Sequence, residues 1–432
     1  MAFFLRLLLG SHVADPTVDA ITQRNIRYLY LEIAFASVLG AIVTFHAAFV
    51  VRAGGGEELV ALLSAIPALV SAVFSIPSAR LLERLPNRRR WIFGSLLLTR
   101  VSTGAIALLP ILFPQDAAAW LVALVILLSL PTIFFTNGFQ ALLADIIPER
   151  QRATVFSVRQ SIWAIGIVVT SLLAGLWLDS APFPLNYQLM YAFGFLVSLG
   201  SQHYLNRLIL PESRLTPVAT RKTARADAPP AQLNANIRRM LFNSLVYHAG
   251  LTLPLALFTV YYIERLEASD AWIGLNSAVG FAGMVMGNLL WMRLLRRRSY
   301  SWALRTASLL TWIFPVGIVL FPDLTAILFI NWLVNLFHPG VELGSLNVML
   351  KLGAGEHRAT YMGWYNAVLN LSLFAAPLAG VWLAERFDIP TVLLLSGGLR
   401  IAGGALFNLN RVHEPSREAC AILQAEPSRD AA

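Results

Sequence analysis

Residues 152–178 read RATVFSVRQSIWAIGIVVTSLLAGLWL, and residues 358–383 read RATYMGWYNAVLNLSLFAAPLAGVWL. Both open on Arg-Ala-Thr, at Arg152-Ala153-Thr154 and Arg358-Ala359-Thr360. They close on Ala174-Gly175-Leu176-Trp177-Leu178 and Ala379-Gly380-Val381-Trp382-Leu383. Between these ends each stretch is long and apolar enough to cross a bilayer core of about 30 Å, which takes about 20 residues of helix. The copies lie about 206 residues apart, near half of the 432-residue chain. A second echo has nearly the same offset: Arg84-Leu85-Pro86-Asn87-Arg88-Arg89-Arg90 recurs loosely as Arg293-Leu294-Leu295-Arg296-Arg297-Arg298. Two similar halves in a membrane protein predict a site at their seam and halves that rock.

The bulk numbers agree with a membrane-embedded chain. Mean hydropathy is +0.65 and charged residues make up 13%, about half the roughly 25% that a soluble surface demands. Twelve apolar stretches follow one another, from 29–51 to 389–410, too long for strands and without period-2 alternation, which excludes a β-barrel. The net charge of +9 is not a nucleic-acid footprint, because with the N-terminus placed inside about 26 of the 33 Lys and Arg fall on the cytoplasmic side. The opposite side holds only Arg52, Arg265 and Arg386. Both termini are therefore expected to be cytoplasmic, in the plasma (inner) membrane. Cys420, the single cysteine, excludes a disulfide framework. Met1–Gly10 lacks a signal-peptide cleavage pattern and reads as a short amphipathic surface helix.

The expected fold class is all-α integral membrane: twelve transmembrane helices in two pseudo-symmetric six-helix bundles. The expected segments are a cytoplasmic N-terminus (1–28), an N-terminal bundle (29–210), a linker (211–236), a C-terminal bundle (237–412) and a tail (413–432). The linker holds Pro211, Pro217, Pro229 and Pro230 among Arg214, Arg221, Lys222 and Arg225, so it breaks helices and stays wet.

Twelve spans, a six-plus-six repeat and a basic mid-chain segment resemble the major facilitator superfamily. Between spans two and three that family carries Gly-x-x-x-Asp-Arg-x-Gly-x-Arg-Arg. Here the pattern reads Ala79-Arg80-Leu81-Leu82-Glu83-Arg84-Leu85-Pro86-Asn87-Arg88-Arg89, keeping the acid, the next Arg and the basic pair, but replacing both glycines. Asp145-Ile146-Ile147-Pro148-Glu149-Arg150-Gln151-Arg152-Ala153 is similar to the family's acidic, proline-containing loop after span four. Leu210-Pro211-Glu212-Ser213 after span six, with Glu414-Pro415 after span twelve, completes the resemblance over about residues 25–415. It implies a cytoplasmic latch of Glu83, Arg84, Arg88, Arg89, Asp145 and Arg152. In that latch Glu83 meets the start of span eleven near Gly355-Glu356, and Arg84 pairs with Asp145. A carboxylate at a helix start finds unpaired N–H groups there. Plain loop basicity is the alternative. In the second half Met292 stands where the acid would be, so that copy lacks the latch.

Ionisable groups inside spans are expensive and mark candidate sites. On span ten Asn331, Asn335, His338 and Glu342 follow a 4-3-4 spacing that puts them on one helix face. Glu342 lies nine residues before Lys351, about 13 Å deep at 1.5 Å per residue, near the midplane. The stripe lines either a wet cavity or a hydrogen-bonded helix contact. The resemblance makes spans one, four, seven and ten line the pathway. Further pathway candidates are Glu32 and His46 on span one, Asn137 and Gln140 on span four, and Asn243 and His248 on span seven. Glu32 has the alternative of pairing with a cytoplasmic Arg, and His248 that of a buried hydrogen bonder. Arg100 and Arg400 lie deep on spans three and twelve and must snorkel or turn inward to a partner.

No phosphate loop of the Gly-x-x-x-x-Gly-Lys-Ser/Thr type is present, which argues against direct ATP drive. No metal-ligand spacing and no cofactor motif is found, and no catalytic constellation points to an enzyme. The expected function is secondary active transport of a small solute by alternating access, coupled to protons through Glu342. The expected partners are the solute, the lipid bilayer and protons, on a monomer. The alternative is a non-transporting membrane sensor or scaffold of the same fold. Neither a soluble appendage nor a long interaction tail favours it.

Overall fold

The computed structural model describes residues 19–85, 87–209, 235–352 and 358–410. The side chains of Glu83, Arg84, Gln140, Ala141, Ala144, Asp145, Glu149, Arg150, Ala153 and residues 358–360 lie outside that description. So do Met1–Gly10, linker residues 211–234, Gly355-Glu356, Cys420 and the tail. Among the described residues the chain is helical throughout, without strands.

Two compact units emerge: Met1–Ala224 with Glu267–Ala278, and Arg225–Leu266 with Val279–Ala432. The first holds α1 (Ala20–Val43), α2 (His46–Arg52), α3 (Glu57–Arg84), α4 (Arg88–Leu112), α5 (Ala117–Ile146), α6 (Glu149–Ser180) and α7 (Leu185–Asn206). The second holds α8 (Ala235–Thr252), α9 (Leu255–Val260) with a π-helical turn at Tyr261–Arg265, and α10 (Asp270–Leu295), whose turns up to Ala278 group with the first. It continues through α11 (Tyr300–Ser308), α12 (Ile313–Leu320), α13 (Leu324–Leu352), α14 (Arg358–Ala384) and α15 (Ile389–Leu409). Span one is α1 and α2 joined by a turn at Thr44-Phe45, span seven is α8 and α9, and span nine is α11 and α12.

Local chemistry marks the ends. The Asp19 carboxylate accepts from the Thr22 N–H at 3.3 Å and caps α1. A hydrogen bond from the Thr22 side chain, with this backbone one beside it, holds its carboxyl below the usual aspartate range. Asp388 caps α15 through the Thr391 N–H at 2.8 Å, with a proline in the first turn where no N–H is missed.

Among the described residues eleven spans are long and apolar enough to cross a membrane by length and composition, one fewer than the twelve stretches read in the sequence. The missing one is α7, whose Asn186, Ser198, Ser201 and Gln202 lower its hydropathy. All four are buried inside the first unit. The polarity of α7 is turned inward, and the helix packs on α1 and α4.

The sequence repeat returns as a packing repeat. In the first unit α1 packs on α6 and α7, and α4 on α5 and α7. In the second, α8 packs on α14 and α15, while α11 and α12 pack on α13 and α15. Counted in spans, the second set is the first shifted by six. Each unit has its own core, with Leu29, Tyr30, Ile147 and Leu205 in one and Met240, Tyr247, Ala303 and Met349 in the other. Outward faces carry Leu127, Leu196, Leu173 and Phe329, all more than half exposed. Acyl chains are as apolar as these side chains, so burial drives helix association weakly there. Close packing and interhelical hydrogen bonds hold the units instead.

Candidate functional site

The predicted span-ten stripe falls on α13, and its two ends differ. The Asn335 amide donates to the Asn331 carbonyl at 2.9 Å and to its side-chain oxygen at 2.7 Å. This pair faces Gly280 and Gly283 of α10, where an added Cβ would sit 3.1 Å from the Asn331 amide and 2.7 Å from the Trp332 carbonyl. Asn331 and Asn335 thus sit against the α10 backbone, Asn331 buried and Asn335 partly exposed. One turn further on, His338 Nδ1 lies 3.5 Å from Glu342 Oε1, with side-chain exposures of 31% and 54%. The two therefore keep an open face. His338 and Glu342 lie within electrostatic reach of His248 and Tyr247 on α8, Tyr365 on α14 and Arg400 on α15.

Other second-unit candidates are held inside the bundle. The Asn243 amide donates to the Leu406 carbonyl at 3.2 Å, tying α8 to α15. His248 Nδ1 contacts the Ser244 carbonyl at 2.8 Å.

Arg400 turns inward and finds backbone carbonyls. Nη1 donates to the Thr311 carbonyl at 3.0 Å, Nη2 to Leu251 at 3.3 Å and Nε to Gly250 at 3.3 Å. The geometry has a sequence cause. Pro254 removes the N–H that would cap Gly250, and Pro315 removes the one that would cap Thr311. The Arg400 guanidinium serves both, sharing the Gly250 carbonyl with the Ser396 hydroxyl, which donates to it at 2.7 Å.

In the first unit the candidate Glu32 sits in a buried network that crosses four helices. Arg159 Nη1 lies 2.9 Å from Glu32 Oε2 and also donates to the Leu29 carbonyl at 2.6 Å. The Ser201 hydroxyl donates to Glu32 Oε1 at 3.0 Å and accepts from Arg100 Nη2 at 2.6 Å. Arg100 Nη1 donates to the Gln202 side chain at 3.0 Å. Glu32 therefore pairs with Arg159 of α6 rather than a surface Arg. This network borders a cavity of about 460 Å³ between α1, α4, α5 and α6. His46 lines its far end, about 21 Å along span one by helical rise. Its Nε2 is buried without a hydrogen-bond partner, and its ring packs 5.7 Å from that of Tyr191. Asn137 points the other way, donating to the Ser75 carbonyl at 3.0 Å and the Ser78 hydroxyl at 2.9 Å of α3.

Of the predicted latch, the Glu83, Arg84 and Asp145 side chains lie outside the described residues, as does that of Gln140. Arg89 donates to the Asn206 carbonyl and stacks on Phe93, and Arg152 Nε donates to the Ile147 carbonyl at 3.1 Å. Arg88 also has an interaction partner. Among the described residues no cluster of His, Cys, Asp and Glu has the makings of a metal site.

Sequence reasoning missed two arrangements. Nothing in the sequence singles out Ser201 and Gln202, which are buried beside Arg100. Buried Asp270 was also missed. It accepts from the Tyr187 hydroxyl at 2.8 Å and lies 3.6 Å from Arg52 Nε, all within the first unit. Arg52 also donates to the Ala268 carbonyl at 2.7 Å.

A family model described as Major Facilitator Superfamily matches residues 30–334 and 240–422. No curated protein matches the chain. Among solved structures the fold is similar to a bacterial homologue of the human lysosomal transporter Spinster, in its inward-facing and occupied conformation. The TM-score is 0.68 at 13% identity, covering 93% of this chain and 100% of that one. The unoccupied form of the same homologue gives 0.62 at 13% identity, over 91% and 96%. The nucleoside transporter NupG, as a D323A mutant, gives 0.69 at 10% identity, over 90% and 99%.

Proposed function

The chain belongs to the Major Facilitator Superfamily and is a membrane transporter, and we propose that it is a secondary active carrier that moves a small solute by alternating access, driven by protons. The observation that supports the coupling is the His338–Glu342 pair, two titratable groups 3.5 Å apart with an open face on a membrane-length helix. With a neutral imidazole and an ionised carboxylate the pair carries one negative charge, which a low-dielectric surrounding penalises and which the Arg400 cation, within electrostatic reach of His338, offsets in part. One proton neutralises it. The proton-loaded pair then tolerates closure, and the unloaded pair favours a wet, open cavity. Arg400 braces the spans behind it. Asn243, His248, Glu32 and His46 are the proposed companions along the pathway, and Glu83, Arg84 and Asp145 the proposed latch. The proposed setting is the plasma (inner) membrane, as a monomer with both termini cytoplasmic.

The test is a vesicle assay. A thermal-shift screen of sugars, amino acids, organic anions and lipophilic cations finds a stabilising solute. Solute-driven proton flux is then followed with an enclosed pH dye. Glu342→Gln is expected to keep solute binding and to lower the proton flux at least tenfold. Undiminished pH-dependent flux in that variant refutes the proton role.

A further inference from the structure

The first-unit cavity has a chemical bias that the proton pair does not account for. Its walls are mainly apolar, with Ile33, Leu39, Ile106, Val125, Phe135 and Trp163 among them and hydroxyls such as Thr99 and Thr136 between, and it holds about 460 Å³. Sites for small organic molecules span roughly 300–1,000 Å³ and combine apolar walls with a few placed polar groups. Three charged side chains border it: Glu32, Arg100 and Arg159. Arg159 and Glu32 neutralise each other at 2.9 Å. Arg100 is left over. Its direct partners, Ser201 and Gln202, are neutral, and its Nε is buried without a hydrogen-bond partner, in a residue only 2% exposed. Glu32 lies within electrostatic reach, but Ser201 bridges the two and Arg159 already holds the carboxylate. Two cations against one anion leave the cavity one positive charge in excess. A buried charge without a matching ion is costly unless something completes it.

We propose that this cavity binds an organic monoanion with an apolar body, its carboxylate or equivalent head on Arg100 and its body along the wall of α1, α4 and α5. Charge-assisted contact from a guanidinium suits an oxyanion head. The apolar walls select an organic body over an inorganic ion. The single excess charge selects against dianions, which would leave one charge unmatched, and against cations. The inference rests on the transporter reading only in calling the occupant cargo, since the site itself stands on the cavity and Arg100.

The probe is 2-naphthoate, with 2-naphthamide as its uncharged near-isostere. Binding is measured by equilibrium dialysis of the full-length protein in lipid nanodiscs, with empty nanodiscs subtracted and no gradient present. Saturable naphthoate binding at least tenfold tighter than that of the amide is expected. Arg100→Gln should erase the preference and Arg100→Lys restore part of it. Ala36→Phe, which fills the cavity one helical turn from Glu32 and replaces no member of the polar network, should lose both ligands. That variant decides the matter if Arg100→Gln does not give monodisperse protein. Absence of saturable binding, equal binding of acid and amide, or unchanged binding in Arg100→Gln or Ala36→Phe overturns the proposal. Because no transport is needed for this readout, such a failure leaves the carrier reading intact. Binding without uptake into pH-jumped vesicles supports the site and counts against the carrier reading.

Discussion

At the scale of single residues, the costliest groups in the chain are the guanidiniums that the spans enclose. Arg159 and Glu32 have side-chain exposures of 9% and 4%, so neither has water to fall back on. Arg159→Met should therefore cost about 3–5 kcal/mol, because it strips Glu32 of its direct ion pair and leaves only Arg100, through the Ser201 bridge, to face it, while Glu32→Gln combined with Arg159→Met should recover part of that loss. Denaturant unfolding of the purified variants checks both values, and a double variant no better than the single refutes the pairing. Glu32 was legible as a span-one acid, and pairing with an Arg was one of the two readings open to it. Which Arg was not legible, since Arg159 comes from a helix more than a hundred residues away in the chain. Arg100 was harder still. A search for an acid finds nothing, because its direct partners are a hydroxyl and an amide. Arg400 was readable in principle: its acceptors are carbonyls four residues before Pro254 and Pro315, which the sequence displays.

Helices pair by what their contact faces omit as much as by what they carry. On α10 a Cβ at Gly283 would meet the Trp332 carbonyl at 2.7 Å, and one at Gly287 the Leu336 carbonyl at 2.6 Å. Gly283→Ala should force α10 and α13 apart and cost about 1–3 kcal/mol. Gly363→Ala on α14 has open space around the new methyl and should stabilise by about 0.5–1 kcal/mol through helix propensity. Thermal melts of the two variants should move in opposite directions, and a neutral Gly283→Ala removes the close-contact argument. The same face explains why the span-ten stripe was only partly readable. The 4-3-4 spacing shows that four polar groups share a side of α13. It does not show that the glycines of α10 press against the first two. That information sits on another helix, fifty residues earlier in the chain.

For the molecule as a whole, the duplicated Arg-Ala-Thr stretches were enough to anticipate two bundles, because a repeat of sequence demands a repeat of packing partners. Span six needed the structure: hydropathy alone drops α7 from the spans. The proposed orientation rests on the charge distribution and is directly testable, since Cys420 is the only cysteine. A membrane-impermeant maleimide should label Cys420 in inside-out vesicles and leave it unlabelled in intact cells. Labelling in intact cells would place the C-terminus outside and overturn the charge argument. The Arg400 arrangement carries a mechanical consequence. Prolines that interrupt spans seven and nine would ordinarily make compliant joints. Here the freed carbonyls at both breaks are stitched to one side chain, so bending either would strip acceptors from a cation in a dry interior. Both breaks are thereby tied to the same cation, so neither can open without that cation losing an acceptor.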